Sequence, residues 1–186
     1  MNKLVLVRHG QSMGNAWEGA YADDAMNFLT PMGIAQAEIA GWKLQYTGLK
    51  FTNMISSNMT RARQTMAITA HITGDWQRSF LIDPNLNERD ATPGYSNDRQ
   101  LQEEHRHTVA VTEAFYRIIS LSQEGNLLVV SHHYTMEVLA NILNIKVPLT
   151  TEGETYFPNA IPFIFDTLDG SLIVLGDNTK TPILSV

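Results

Sequence analysis

The chain contains no cysteine, and this absence removes disulfides, thiol nucleophiles and zinc–thiolate centres from consideration while leaving the redox compartment open. Charge is sparse as well. Only 17% of residues are charged, and 19 Asp and Glu outnumber 13 Lys and Arg for a formal net charge of -6. Such a balance predicts no general affinity for nucleic acid or for an acidic membrane, so an anionic ligand would need a local cluster of cations. Long hydrophobic runs are also missing. The apolar stretch Leu4 to Val7 ends at Arg8, too short for a signal-peptide core or a membrane span, so a cytoplasmic location is the default expectation. The sequence shows no internal repeat, low-complexity segment or domain boundary. At 186 residues and 44% hydrophobic, it is expected to form one globular domain over 1–186 with a sizeable core.

Leu4-Val5-Leu6-Val7 reads as a strand buried on both faces, and it runs directly into Arg8-His9-Gly10. In open α/β sheets ligands sit beyond the carboxyl ends of strands. A cation, an imidazole and a glycine at such an end suit an anionic group, although an Arg-His-Gly tripeptide by itself reads equally as a salt-bridged strand end. A second strand of the same kind, Leu127-Leu128-Val129-Val130-Ser131, ends in His132-His133. A third, Phe51 to Ser56, is followed by Ser57-Asn58 as a cap and by a helix to about Thr73, with Arg61 and Arg63 near its first turn. Positive charge is disfavoured at a helix N-terminus. Arg63 fits a solvated surface position, whereas Arg61 lies just past a strand end.

The remaining punctuation is clear. Thr30-Pro31 starts a helix whose inward face is predicted as Ile34, Ala37, Gly41 and Leu44, with Gly48 as its stop. Ser12 to Phe28 reads as a helical turn or loop, Phe80 to Asp83 as a short strand, and Ala91 to His107 as a long polar excursion. Thr108 to Leu121 reads as an amphipathic helix, and a further helix after His133 carries Met136, Leu139, Ala140 and Leu143 on its core face. Asp169-Gly170 marks a terminal hairpin. Alternating strands and helices predict an α/β/α sandwich around a mainly parallel sheet. Three strand ends would then aim cations or imidazoles at one edge.

In order along the chain, five segments resemble the blocks of the histidine phosphatase superfamily, which includes cofactor-dependent phosphoglycerate mutases and many phosphomonoesterases. They are Leu6-Val7-Arg8-His9-Gly10-Gln11-Ser12 with Asn15, then Leu29-Thr30-Pro31-Met32-Gly33 with Gln36-Ala37, then Ser56 to Thr65 around Arg61, then Leu86-Asn87-Glu88, then Val130-Ser131-His132. The resemblance implies a phosphoglycerate mutase-like fold and a phosphomonoesterase acting on a small phosphorylated metabolite without metal or other cofactor. His9 would be the nucleophile and Glu88 the proton donor and acceptor. Arg8, Arg61 and His132 would clamp the phosphoryl oxygens, Asn15 would add a hydrogen bond, and Ser12 and Gln11 would line the same pocket. Ser12 reads equally as a turn cap. His105 and His107 with His132 and His133 could suggest a metal site, but no acidic motif supports one.

Two residues depart from the family pattern: His133 stands where Gly is usual, and Gln11 where Glu is frequent. Leu86-Asn87-Glu88-Arg89 is mutase-like, but the likeness fades at Asp90, and family mutases carry a larger insertion there. Arg89, Arg99 and Arg106 read as surface charge. A phosphatase is therefore expected, with a phosphoglycerate mutase or a non-catalytic phospholigand-binding or scaffold protein as alternatives. The expected partner is a small phosphate ester.

Overall fold

Alternate residues of the first strand separate into two cores, and this pleat organises the molecule. In the computed structural model, which describes residues 2–17, 24–75, 77–90, 96–147 and 157–176, β1 spans Lys3–Arg8. Its Leu4 and Leu6 point into one apolar cluster and its Val5 and Val7 into the other. The strand β4 (Leu127–Ser131) repeats the division, with Leu127 and Val129 on one side and Leu128 and Val130 on the other. Period-two alternation with both faces apolar is the signature of a strand covered by helices on either side.

Between these strands lie α1 (Met13–Ala16), α2 (Pro31–Tyr46), β2 (Asn53–Ser56), α3 (Thr60–Thr73), β3 (Leu81–Ile82) and α4 (Asn97–Gln123). After β4 come α5 (His133–Ile142), β5 (Pro162–Asp166) and β6 (Leu172–Val174). The sheet order is β3-β2-β4-β1-β5-β6. The first four strands pair in parallel, and β5 and β6 add an antiparallel edge. Helices α4 and α5 cover the Leu4 side, α2 and α3 the Val5 side. The expected mainly parallel α/β sheet is what forms.

Three local expectations change. The helix predicted from Thr108 begins at Asn97, so much of the polar excursion is helical, and residues 91–95 of it lie outside the described residues. Its first turns are exposed, Leu101 included, and therefore show no apolar stripe. Ile34 is exposed rather than inward, and the buried face of α2 is Gly33, Ala37, Ala40, Gly41 and Leu44. The cap of α3 is Met59, one residue beyond the expected Ser57-Asn58, because Ser57 turns to other partners. The turn or loop expected over Ser12 to Phe28 contains α1 and a single 3₁₀ turn, Asp24–Met26, with 18–23 outside the described residues.

Glycine is demanded where α2 abuts the loop after β1. A Cβ on Gly33 would stand 2.0 Å from the Gln11 carbonyl oxygen, and one on Gly10 would stand 2.3 Å from that of Gly33. Both obstacles are backbone, so neither can swing aside. Thr30 caps α2 by accepting from the Gly33 N–H at 3.0 Å, and the Thr30 N–H donates to the Gln11 carbonyl.

Gly33→Ala is expected to lower stability by about 1–3 kcal/mol through overpacking. Met66→Ala, which empties a fully buried position in α3, should cost about 2–5 kcal/mol. Urea denaturation of the two variants against the native chain measures both.

Candidate active site

The carboxyl ends of β1, β2 and β4 meet at one edge of the sheet and bring the predicted residues together. β1 ends at Arg8, β2 at Ser56 just before the α3 that carries Arg61, and β4 at Ser131 just before His132. The His9 N–H donates to the Ser131 carbonyl at 2.9 Å, extending the β1–β4 ladder past the strand. The His9 and His132 rings then lie 5.0 Å apart, both buried.

The protonation of His9 follows from its contacts. Its Nδ1 is 2.7 Å from the Gly10 carbonyl oxygen, which only accepts, so Nδ1 carries the proton. Nε2 therefore holds a lone pair, and Arg61 Nε donates to it at 3.2 Å. Burial, then the Arg61 and Arg8 guanidinium groups, hold the His9 pKa well below its usual value, against the opposing pull of the Gly10 carbonyl. His9 is a neutral imidazole with its lone pair facing two cations.

Arg61 is fixed on three sides. Besides His9, its Nη1 donates to Asp24 Oδ1 at 3.2 Å and its Nη2 to Met59 Sδ at 3.1 Å. Asp24 also accepts the Thr60 N–H at 3.0 Å. A carboxylate at the N-terminus of α3 thus offsets the unfavourable placement of a cation there. Arg63 is exposed, as expected for a solvated charge. Arg8 donates from Nη1 to the Phe157 carbonyl at 3.0 Å.

His132 is held by residues outside the predicted set. Its Nε2 is 2.7 Å from Ser57 Oγ, which is also 3.0 Å from Asn87 Oδ1. The Asn58 N–H donates to that same Asn87 oxygen at 2.9 Å, so Asn87 is already satisfied there. Ser57 Oγ donates to Asn87 Oδ1 and fixes the His132 ring through Nε2, while His132 Nδ1 is buried with no partner among the described residues. Burial, followed by His9, Arg61, Arg8 and His107, holds the His132 pKa well below normal.

Glu88 follows a 3₁₀ turn (Pro84–Leu86) at the end of β3. Burial raises its pKa above the ordinary range. The Arg89 N–H, Arg61, Arg8 and the Tyr134 backbone oppose that shift in decreasing order. The Arg89 N–H donates to Glu88 Oε1 at 3.0 Å. Glu88 thus shares the electrostatic environment of both arginines.

The three remaining predicted residues follow His9, with Gln11 and Ser12 in the loop and Asn15 in α1. Ser12 is buried and gives its hydroxyl proton to Asn15 Oδ1 at 3.1 Å, while its N–H donates to the same oxygen. Asn15 itself is exposed. Gln11 Oε1 accepts from Thr30 Oγ1 at 2.9 Å, a link to the cap of α2.

Arg89 is a correction: it is half-buried, not a surface charge. Its guanidinium lies 4.2 Å over the Tyr134 ring, and Glu104 pairs with Nη1 at 3.5 Å. His133 packs edge-on to Tyr134 and Phe157 and stands 3.6 Å from Glu137, one turn along α5. His107 Nε2 lies 3.1 Å from both the Asn87 carbonyl and Thr135 Oγ1. No group of three or more His, Asp or Glu among the described residues has the geometry to hold a metal ion.

Sequence reasoning missed Ser57, Asn87, Thr65, Asp24 and Asn159 as supports. Thr65 Oγ1 accepts from the Gly10 N–H at 3.0 Å, and Asn159 Nδ2 donates to the His9 carbonyl at 2.7 Å. Asn87 and Ser57 lay within recognised blocks, whereas Asp24 and Asn159 carry no local signal.

The chain is similar to known proteins. Residues 4–111 match the histidine phosphatase superfamily (branch 1). Over 90 residues the chain is 39% identical to a 2,3-bisphosphoglycerate-dependent phosphoglycerate mutase of Methylobacterium sp., a match covering 47% of this chain and 41% of that protein. Over 120 residues it is 33% identical to the mitochondrial serine/threonine-protein phosphatase Pgam5 of Caenorhabditis elegans, covering 62% and 39%. The chain therefore spans about two-fifths of the length of these curated relatives. Its fold superposes on the phosphoglycerate mutase of Bacillus anthracis with a TM-score of 0.68 at 17% identity, covering 93% of this chain and 91% of that one. With a matched segment that holds Arg8, His9, Arg61 and Glu88, and a sheet that adds His132 at the same edge, the chain belongs to the histidine phosphatase superfamily.

Proposed function

We propose that the chain is a single-domain phosphomonoesterase that works through a phosphohistidine on a small phosphorylated metabolite. The observation that carries this reading is the tautomer of His9, whose Nδ1 is tied to Gly10 and whose Nε2 lone pair is turned toward Arg61. A neutral, pre-aimed nucleophile among cations is what attack on a phosphate dianion requires.

In the first half-reaction the Nε2 lone pair attacks phosphorus in line. The ester P–O bond breaks, and the leaving oxygen takes the proton of Glu88, whose raised pKa keeps that proton available. Arg8, Arg61 and His132 hold the equatorial oxygens as charge spreads over them, and the Asn15 amide supplies a further donor. In the second half-reaction the Glu88 carboxylate takes a proton from water as its oxygen attacks phosphorus. The N–P bond breaks, and its electron pair returns to Nε2. Gln11 and Ser12 shape the loop that carries His9.

A second reading, a phosphoglycerate mutase, is favoured by the identity to proteins of that name. Against it, only residues 89–96 separate Glu88 from α4, which leaves little room for an insertion that would shield the phosphohistidine from water.

Phosphate release from a panel of phosphomonoesters is expected without added 2,3-bisphosphoglycerate, and His9→Ala should lower it by about 10⁴-fold or more. Turnover that appears only with the bisphosphate would establish the mutase, and vanadate binding without turnover a phospholigand-binding protein. Glu88→Gln should slow alkyl esters by about 10²–10⁴-fold and p-nitrophenyl phosphate much less, since that leaving group needs no proton. The pH dependence has a definite sign. The first half-reaction needs neutral His9 and protonated Glu88, so its acid limb lies well below the ordinary imidazole range and its alkaline limb above the ordinary carboxylate range, with only the alkaline limb lost in Glu88→Gln. Burst-phase release of alcohol across pH measures it.

A further inference from the structure

Helix α2 is apolar on both sides. Its buried face packs on the sheet and on α3, where Gly41 lies against Ile72. Directly opposite, Met32, Ala35, Ile39, Trp42 and Tyr46 recur at alternating spacings of three and four, which at 3.6 residues per turn form one straight stripe. The stripe is open. Met32 is 58% exposed, Ile39 52%, Trp42 59% and Tyr46 95%. Ala35 between them is exposed too.

We propose that this stripe is the interface of a two-fold homodimer in which α2 of one copy packs antiparallel on α2 of the other. Area is the first support. The side chains present roughly 500 Å² per copy, at the upper end of what a monomer leaves contiguous and more than half of the ~800 Å² per partner of a standard interface. Charge is the second. The whole chain carries -6, yet the stripe itself is neutral and its flanks hold one acid, Glu38, and one base, Lys43. Two copies therefore meet here without the repulsion that other faces of an acidic protein would present. Shape is the third. Antiparallel pairing lays the bulky Trp42–Tyr46 end of one helix over the smaller Met32–Ala35 end of its partner, whereas parallel pairing stacks Trp42 on its own copy. A two-fold axis closes either arrangement, and the antiparallel one matches large side chains to small ones. Ile39, at the middle of the stripe, lies nearest the two-fold axis.

The absence of cysteine provides a clean test. Sedimentation of the full chain at about 100 μM should give twice the mass of one chain. Trp42→Glu, a change at an exposed position, should return it to one chain with an unchanged circular dichroism spectrum. Ile39→Cys should form an intermolecular disulfide on mild oxidation, and Glu104→Cys, on the distant α4, should not. A native chain that stays monomeric at that concentration overturns the proposal. So does a dimer that survives Trp42→Glu and leaves Ile39→Cys uncrosslinked. Loss of thermal stability in Trp42→Glu with no change of mass would overturn it as well. None of these readouts depends on phosphatase activity.

Discussion

Everything at the catalytic edge depends on one hydrogen bond, from His9 Nδ1 to the carbonyl of its own neighbour Gly10. An imidazole buried beside two guanidinium groups could relieve its situation by turning either nitrogen toward them. The carbonyl takes one nitrogen out of play and leaves the other as the only base facing the cations. That carbonyl is in turn immovable. Gly10 donates to Thr65, Gln11 accepts from Thr30, and the backbone of Gly33 stands within closer reach of the loop than any side chain would permit. The His9 ring is aimed by backbone packing, and the arginines lower its basicity.

Around that fixed point the charges are balanced by residues of modest appearance. Arg61 would be a poor neighbour for the start of α3 were Asp24 not bonded to both the guanidinium and the Thr60 N–H. Ser57 Oγ donates to Asn87 and lies against His132 Nε2, and the Asn58 N–H donates to the same Asn87 oxygen. The second histidine is thereby anchored through its far nitrogen. Each support is a short polar side chain that meets a stated need of a buried charged or titratable group, as the cost of leaving such groups unpaired demands.

The parts of this arrangement visible in the sequence are those that need no partner to be recognised. The runs at Leu4 and Leu127 are apolar on both faces and so announce central strands, and a strand end followed by Arg-His or by His is informative alone. Features that depend on residues brought together from afar were hidden. Arg89 reads as a surface charge until Tyr134 is placed beneath it. The first turns of α4 lack an apolar stripe because they extend past the core, so a pattern keyed to burial misses them. On α2 the apolar residues occupy two opposite faces, and with both patterns superimposed Ile34 could be mistaken for a core position.

One tether has a consequence for how the protein matures. The carbonyls of Arg8 and His9, among the first residues made, are held by the Ala160 N–H and the Asn159 side chain, and Arg8 Nη1 by the Phe157 carbonyl. Ala160 takes up a left-handed backbone, with φ of 52°, to make its contact. During synthesis β4, which joins β1 to β2, leaves the ribosome before these residues do. The end of β1 is secured only when the segment before β5 arrives, so a nascent chain that already holds Arg8, His9, Arg61, Glu88 and His132 still lacks these tethers.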